Sequence, residues 1–117
     1  MHHICRTILA TFLAGAQVAH AAVDCTGTVT SLSVQLGGEG TVTLSLSGGP
    51  TYTYLCDIAG IERNGVDRTV CKVMYASLLA AKATNKQVLI RFNNYNLCTD
   101  VPPWADAGSL GWTRILD

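Results

Sequence analysis

Four cysteines, Cys25, Cys56, Cys71 and Cys98, limit what this chain can fold into more than any other feature of its sequence. They are the set left after an expected N-terminal leader is removed. Residues 1–6 carry a single positive charge, Arg6, residues 7–18 are apolar and small, and Ala19-His20-Ala21 has the small-x-small form of a cleavage site. That is the pattern of an export signal cut after Ala21. The apolar run of 12 residues is well short of the ~20 needed to span a bilayer. Asp24 before Cys25 is not the small residue that a lipid-modified cysteine requires. The sequence therefore predicts a secreted or periplasmic, soluble product with no membrane insertion. Residues 22–117 would form one domain. An even cysteine count in a small exported domain reads as two disulfides, with three possible pairings. No two of the cysteines have the C-x-x-C spacing of a zinc site, so no metal is expected.

The leader also takes His2, His3, His20 and Cys5 with it. Without histidine, Ser-His-Asp and Cys-His activation and histidine metal sites are excluded, and oxidised cysteines offer no thiolate. No phosphate-binding glycine motif is present; Gly37-Gly38-Glu39-Gly40 reads as a hairpin turn. Carboxylates share loops at Asp57 and Glu62 and at Asp100 and Asp106, the one arrangement here of the kind a glycosidase uses. They read instead as solvated loop charges, so neither an enzyme nor a cofactor is expected. After residue 21 there are seven Lys and Arg against eight Asp and Glu, a net charge of −1 with no block of one sign. Nucleic-acid binding would need a basic stripe to neutralise phosphates.

The alternation of side chains suggests the order of elements. Residues 28–36 alternate as a strand, with Leu32, Val34 and Leu36 against Ser31, Ser33 and Gln35. Val29 is out of phase, which predicts a bulge near Thr30-Ser31. Residues 41–47 alternate cleanly, with Val42, Leu44 and Leu46 on one face, and complete a hairpin. Residues 51–58 form a third strand, with Tyr52, Tyr54, Cys56 and Ile58 expected on one face. Residues 60–68 are polar and read as a surface loop with a turn at Asn64-Gly65. Cys71, Met74, Tyr75, Leu78, Leu79 and Lys82 then fall on one stripe of a helix. Asp67 or Thr69 can cap its start, and Asn85 can end it in the left-handed region. Residues 87–92 and 109–116 are the last two strands, separated by an irregular loop containing Pro102-Pro103.

This β-β-β-α-β-β order is that of an OB-fold, a five-stranded Greek-key barrel. A flat sheet covered by one helix is the alternative. The order also favours one disulfide pairing. Cys56 ends the third strand and Cys71 opens the helix, so Cys56–Cys71 would close the polar loop. Cys25 and Cys98 flank strands one and four and become neighbours if those strands pair.

Binding residues are better represented than catalytic ones. Trp104 follows two prolines in a polar loop, and Asn93, Asn94 and Asn96 surround Tyr95. Rings beside fixed amides suit sugars, which present apolar C–H faces and many hydroxyls. Trp112, Tyr52 and Tyr54 are expected to fill the core. For Trp104 the core and a ligand-facing place are equal alternatives.

Several segments together resemble the B subunits of subtilase cytotoxin and of the pertussis-like typhoid toxins. Tyr54-Leu55-Cys56 is similar to that family's aromatic-aromatic-Cys at the end of strand three, and Val70-Cys71 to its second cysteine. Leu78-Leu79 and the run from Thr84 to Ile90 resemble its helix end and following strand. Val101-Pro102-Pro103-Trp104 resembles its Tyr-Pro-Pro-Phe, and Ser109-Leu110-Gly111 its Ala-Leu-Val-Gly. The resemblance implies an OB-fold, a bridge between Cys56 and Cys71, assembly into a pentamer, and binding of cell-surface glycans. It places Thr26 where the family has a sugar-contacting serine, although Asp24 and Cys25 replace the aromatic neighbours. The candidate ligand residues are therefore Thr26, Asn93, Asn94, Tyr95 and Trp104, and the expected partner is a glycan or a protein. The competing functions are a periplasmic immunity-type inhibitor and, last, a small hydrolase.

Overall fold

One long strand organises the domain. The structure, a computed structural model, describes residues 22–117. The expected leader, residues 1–21, lies outside them. Strand β1, Val23–Val34, takes part in two ladders. Its first half pairs antiparallel with β6, Gln87–Phe92, from Val23↔Phe92 to Thr28↔Gln87. Its second half pairs antiparallel with β2, Thr41–Leu46, and the register shifts between Val29 and Ser31, at the predicted bulge. The strand starts earlier than its apolar alternation indicated, because Thr26 and Gly27 pair through backbone alone. Gly27 is also forced by contact: a Cβ there would lie 2.6 Å from Ser47 Oγ, which accepts from the Thr28 N–H at 3.0 Å.

Strand β3, Thr53–Asp57, lies beyond β2, and β7, Leu110–Ile115, beyond β6, giving the order β3-β2-β1-β6-β7. The outer edge of β3 is met by residues 104–107 running parallel to it. Tyr54 N–H donates to Ala105 O and Ala107 N–H to Tyr54 O, each at 3.0 Å. This segment leads into β7, so the chain runs from one margin of the sheet to the other. The molecule is mainly β with one helix and OB-like, but the hydrogen-bonded ladder is not continuous around a barrel. Among the described residues a gap stays open between β3 and β7.

Three local expectations are corrected. The polar loop contains a small hairpin, β4 (Glu62–Arg63) and β5 (Val66–Asp67). Asn64 and Gly65 turn it with φ of 57° and 76°, the positive pair of a type I′ turn. Tyr52, Tyr54, Cys56 and Ile58 do not share a face. The β2–β3 register shifts between Val42 and Thr43, so Cys56 opposes the core residue Val42 while Tyr54 opposes Thr43. The polar residues of β2 are buried as well: Thr41, Thr43 and Ser45 are all shielded. A central strand covered on both sides has no solvent face.

Helix α1, Arg68–Ala83, packs beneath the sheet through Cys71, Leu78 and Ala81. Leu79 and Lys82, expected on its inner stripe, are exposed; the buried face turns toward Ala81 instead, because a small residue permits close approach. Asp67 caps the helix by accepting from Val70 N–H at 2.8 Å. Asn85 ends it at φ 53°. Lys86 N–H bonds to Ala81 O and Asn85 N–H to Lys82 O, the Schellman pattern. The bridges are Cys25–Cys98 and Cys56–Cys71, both with Cα atoms 5.7 Å apart. Among the described residues no helix is long and apolar enough to cross a membrane. Two disulfides fit an oxidising compartment, outside the cell or in the periplasm.

Candidate functional site: an exposed aromatic platform

The turn before β3 places an unusual pair of side chains. Gly48 and Gly49 with the cis Gly49-Pro50 peptide reverse the chain after β2. Tyr52 follows at φ 48°, held by its N–H donating to Ser45 Oγ at 2.7 Å. Across the edge of β3, Trp104 lies at φ 54° and donates its N–H to Tyr52 O at 2.8 Å. Both residues are in the left-handed region, which bulky side chains seldom occupy and which costs about 1–2 kcal/mol each. Their rings stack with centroids 4.6 Å apart and planes 8° from parallel. Trp104 is 61% exposed and Tyr52 39%. The backbone is thus held in two strained positions to present a flat aromatic surface to solvent.

Beside the platform is a cleft of about 200 Å³ lined by Gly49, Pro50, Thr51, Cys98, Thr99 and Pro103. The Cys25–Cys98 bridge makes it, by tying the 98–103 loop to β1 and against the 49–51 turn. Thr51 and Thr99 bring hydroxyls to its wall. The arrangement offers an apolar plane next to polar side chains.

The five sequence candidates do not converge here. Trp104 forms the platform. Its partner Tyr52 was missed, because alternation placed it in the core and a left-handed tyrosine leaves no sequence signal. Asn93 and Asn94 have structural partners: Asn94 Oδ1 accepts from Ser109 N–H at 2.6 Å and Asn93 Nδ2 donates to Ser109 Oγ at 3.2 Å. They fasten the start of β7. Tyr95 is half-buried and packs against the core. Thr26 is exposed on the outer side of β1, paired with Leu89. Its strand neighbour Asp24 meets Arg91 at 3.4 Å, and the Arg91 guanidinium lies 4.7 Å from the centre of the Trp112 ring. Trp112 is half-exposed rather than in the core. Tyr54 is half-buried, with Arg63 over its ring.

Among the paired carboxylates, Glu62, Asp100 and Asp106 are exposed as read, and Asp57 differs. Asp57 is not a solvated loop charge but 2% exposed. Its Oδ1 accepts from Thr41 Oγ1 at 2.7 Å and from Arg63 Nε at 2.9 Å. Arg63 Nη1 also binds Asp106 Oδ1. Asp57 and Asp106 are thus tied to one guanidinium, a structural arrangement rather than two carboxylates facing across a cleft. Burial works against the charge on Asp57, but hydrogen bonds from Thr41 and Arg63 outweigh it and hold the carboxyl below its ordinary range. The exposed Glu39 reaches the same group: a Cβ on Gly60 would lie 3.0 Å from both Glu39 Oε2 and Asp57 Oδ2. A hydrogen bond to Asp57, and then its negative charge, raise the Glu39 carboxyl. A raised carboxyl penalises the folded state once pH rises through its folded pKa. Glu39→Gln keeps a donor toward Asp57 without the charge. It should melt higher than the parent at neutral pH, and the two curves should converge below the ordinary glutamate range. A parent that melts higher at neutral pH would contradict this account.

Comparison with protein-family models, with curated proteins and with solved structures finds no match. Fold and site together define the class: a small, doubly disulfide-bridged OB-like β domain with one helix, carrying an exposed aromatic platform.

Proposed function

We propose that the protein is an exported, non-catalytic binding module that takes a sugar on the outer face of Trp104. The observation that supports this is the stacked Tyr52–Trp104 pair, kept in the open by two left-handed residues. An exposed indole plane stacks on the C–H face of a pyranose, and the hydroxyls of Thr51 and Thr99 suit the sugar's edge. The sequence resemblance to toxin B subunits points to the same ligand class. It also suggests assembly into a ring of copies, in which individually weak contacts add through avidity. Native mass would read the copy number.

The test uses Trp104→Gly. Glycine removes the indole and relieves the left-handed strain, about 1 kcal/mol. Losing the ring stack costs about as much, 0.5–1.5 kcal/mol, so Tm should move little. Binding on a broad glycan array should disappear with the variant and persist in Arg91→Gln. A parent that binds no glycan, or a variant that binds like the parent, refutes the reading.

A further inference from the structure

The gap between β3 and β7 is lined as though for another strand. Among the described residues, strand β7 bonds to β6 on one side only. Leu116 N–H donates to Gln87 O at 2.8 Å, and antiparallel ladder bonds alternate. The backbone groups of Leu116 and Arg114 therefore serve β6, while those of Thr113 and Ile115 point to the free edge. Natural sheets rarely leave such an edge uncovered. Along it runs a groove of about 630 Å³ between β7 and α1, walled by Val66, Val70, Val73, Met74, Trp112 and Ile115. Val70 and Val73 are 51% and 64% exposed, although they sit on the helix face that looks toward the groove. Arg114 is the single charged residue of the lining.

We propose that this edge binds an extended peptide segment of another protein, which adds a strand beside β7. A strand there would follow the pleat of its neighbour. Side chains turned inward would meet Val70, Val73, Met74 and Ile115, and those turned outward would lie beside Trp112 and Arg114. The partner segment therefore alternates apolar residues with polar ones and carries an Asp or Glu opposite Arg114. Backbone bonds to Thr113 and Ile115 would give affinity, and the alternate pockets specificity.

A second copy of this chain fits less well. The outer edge of β3 is already met by residues 104–107, so the five-stranded sheet has only β7 to offer. Antiparallel pairing of two β7 strands about Thr113 or Arg114 sets the two Arg114 side chains diagonal or opposite to one another, and like charges there are destabilising. The proposal is independent of the sugar reading, because it uses no residue of the Tyr52–Trp104 platform.

The probe is the acetylated, amidated peptide Ile-Thr-Val-Glu-Val-Thr-Ile, titrated into the full chain and followed by calorimetry. Two control peptides carry Pro in place of the Val that follows Glu, or Lys in place of Glu. The parent protein should bind the probe and reject the proline control. Thr113→Pro removes an N–H that faces away from β6 and leaves the β6 ladder bonds in place. It should weaken binding by about tenfold, the size of one net hydrogen bond. Arg114→Glu should reverse the preference between the Glu and Lys peptides, which keeps the test decisive if the proline variant folds poorly. Glycan binding should be unchanged in both variants. Absence of probe binding by the parent at millimolar peptide overturns the proposal. So does a charge preference that Arg114→Glu leaves unaltered. A parent that dimerises without peptide, with the Thr113 and Ile115 amides protected from exchange, overturns it in favour of self-association.

Discussion

Replacing Cys25 and Cys98 together by alanine is expected to lower unfolding free energy by about 4 kcal/mol, the largest loss from any one paired change. The bridge closes a loop of 73 residues, and in the chain-entropy model the penalty grows with the logarithm of loop length. The corresponding change at Cys56 and Cys71, which close 15 residues, should cost about 3 kcal/mol. Small domains hold only about 5–15 kcal/mol in total, so loss of both bridges should leave the chain unfolded at body temperature. Denaturant unfolding without reductant measures each step. Equal losses for the two pairs, or a smaller loss for Cys25–Cys98, would contradict the loop argument. The long bridge has a second consequence: without it, the loop that walls the cleft beside Trp104 loses its attachment to β1.

The second large effect is expected at Arg63. Arg63→Met leaves Asp57 buried with only Thr41 and the exposed Glu39 to bond it, and breaking a buried pair from one side costs about 3 kcal/mol. Asp106→Asn removes the other partner of the same guanidinium, but that carboxylate is more than half exposed and should cost below ~1 kcal/mol. The contrast between the variants is the measurement, read from urea midpoints at neutral pH. The pH dependence follows from the sign of the Asp57 shift. Its carboxyl is held below the unfolded value, so its contribution is present above the ordinary aspartate range and fades as pH falls through the folded pKa. The cost of Arg63→Met should shrink along the same course. A cost that persists in strong acid would place the role of Arg63 in its packing over Tyr54 rather than in its charge.

Most of the scaffold was legible in the sequence because it is specified locally. The β1 bulge showed as a phase slip at Val29, the helix start as a cap at Asp67 or Thr69, its end as Asn85, and the fourth strand as the alternation of Val88, Ile90 and Phe92. The disulfide pairing followed once the elements were in order. The failures lie where distant segments meet. Asp57 looks like a loop charge until Arg63 and Thr41 close around it. Tyr52 alternates correctly for a core position, and only the close approach of Trp104 across the edge of β3 shows that its backbone turns outward. Trp112 falls on the outer face of β7, because the pairing of Thr113 with Ile90 and of Ile115 with Val88 turns those two residues inward. Of the ligand residues read from sequence, Trp104 alone reached the platform. Asn93 and Asn94 look like sugar ligands by type, and their bonds to Ser109 arise from a return of the chain that spacing does not reveal.

The double use of β1 has a consequence for how the chain matures. It emerges N-terminus first, so Cys25 is available long before Cys98, the residue it must join. Half of β1 has no partner until β6 has been made. Cys56 appears in that interval, while its own partner Cys71 is still to come, and among the cysteines of the described residues the earliest oxidation available is therefore a Cys25–Cys56 bond that the native domain does not contain. Thiolate attack can exchange such a bond, and the pairings of high sequence separation form last and slowly. A disulfide isomerase in the receiving compartment would therefore set the yield of native protein, more than the rate at which oxidant is supplied.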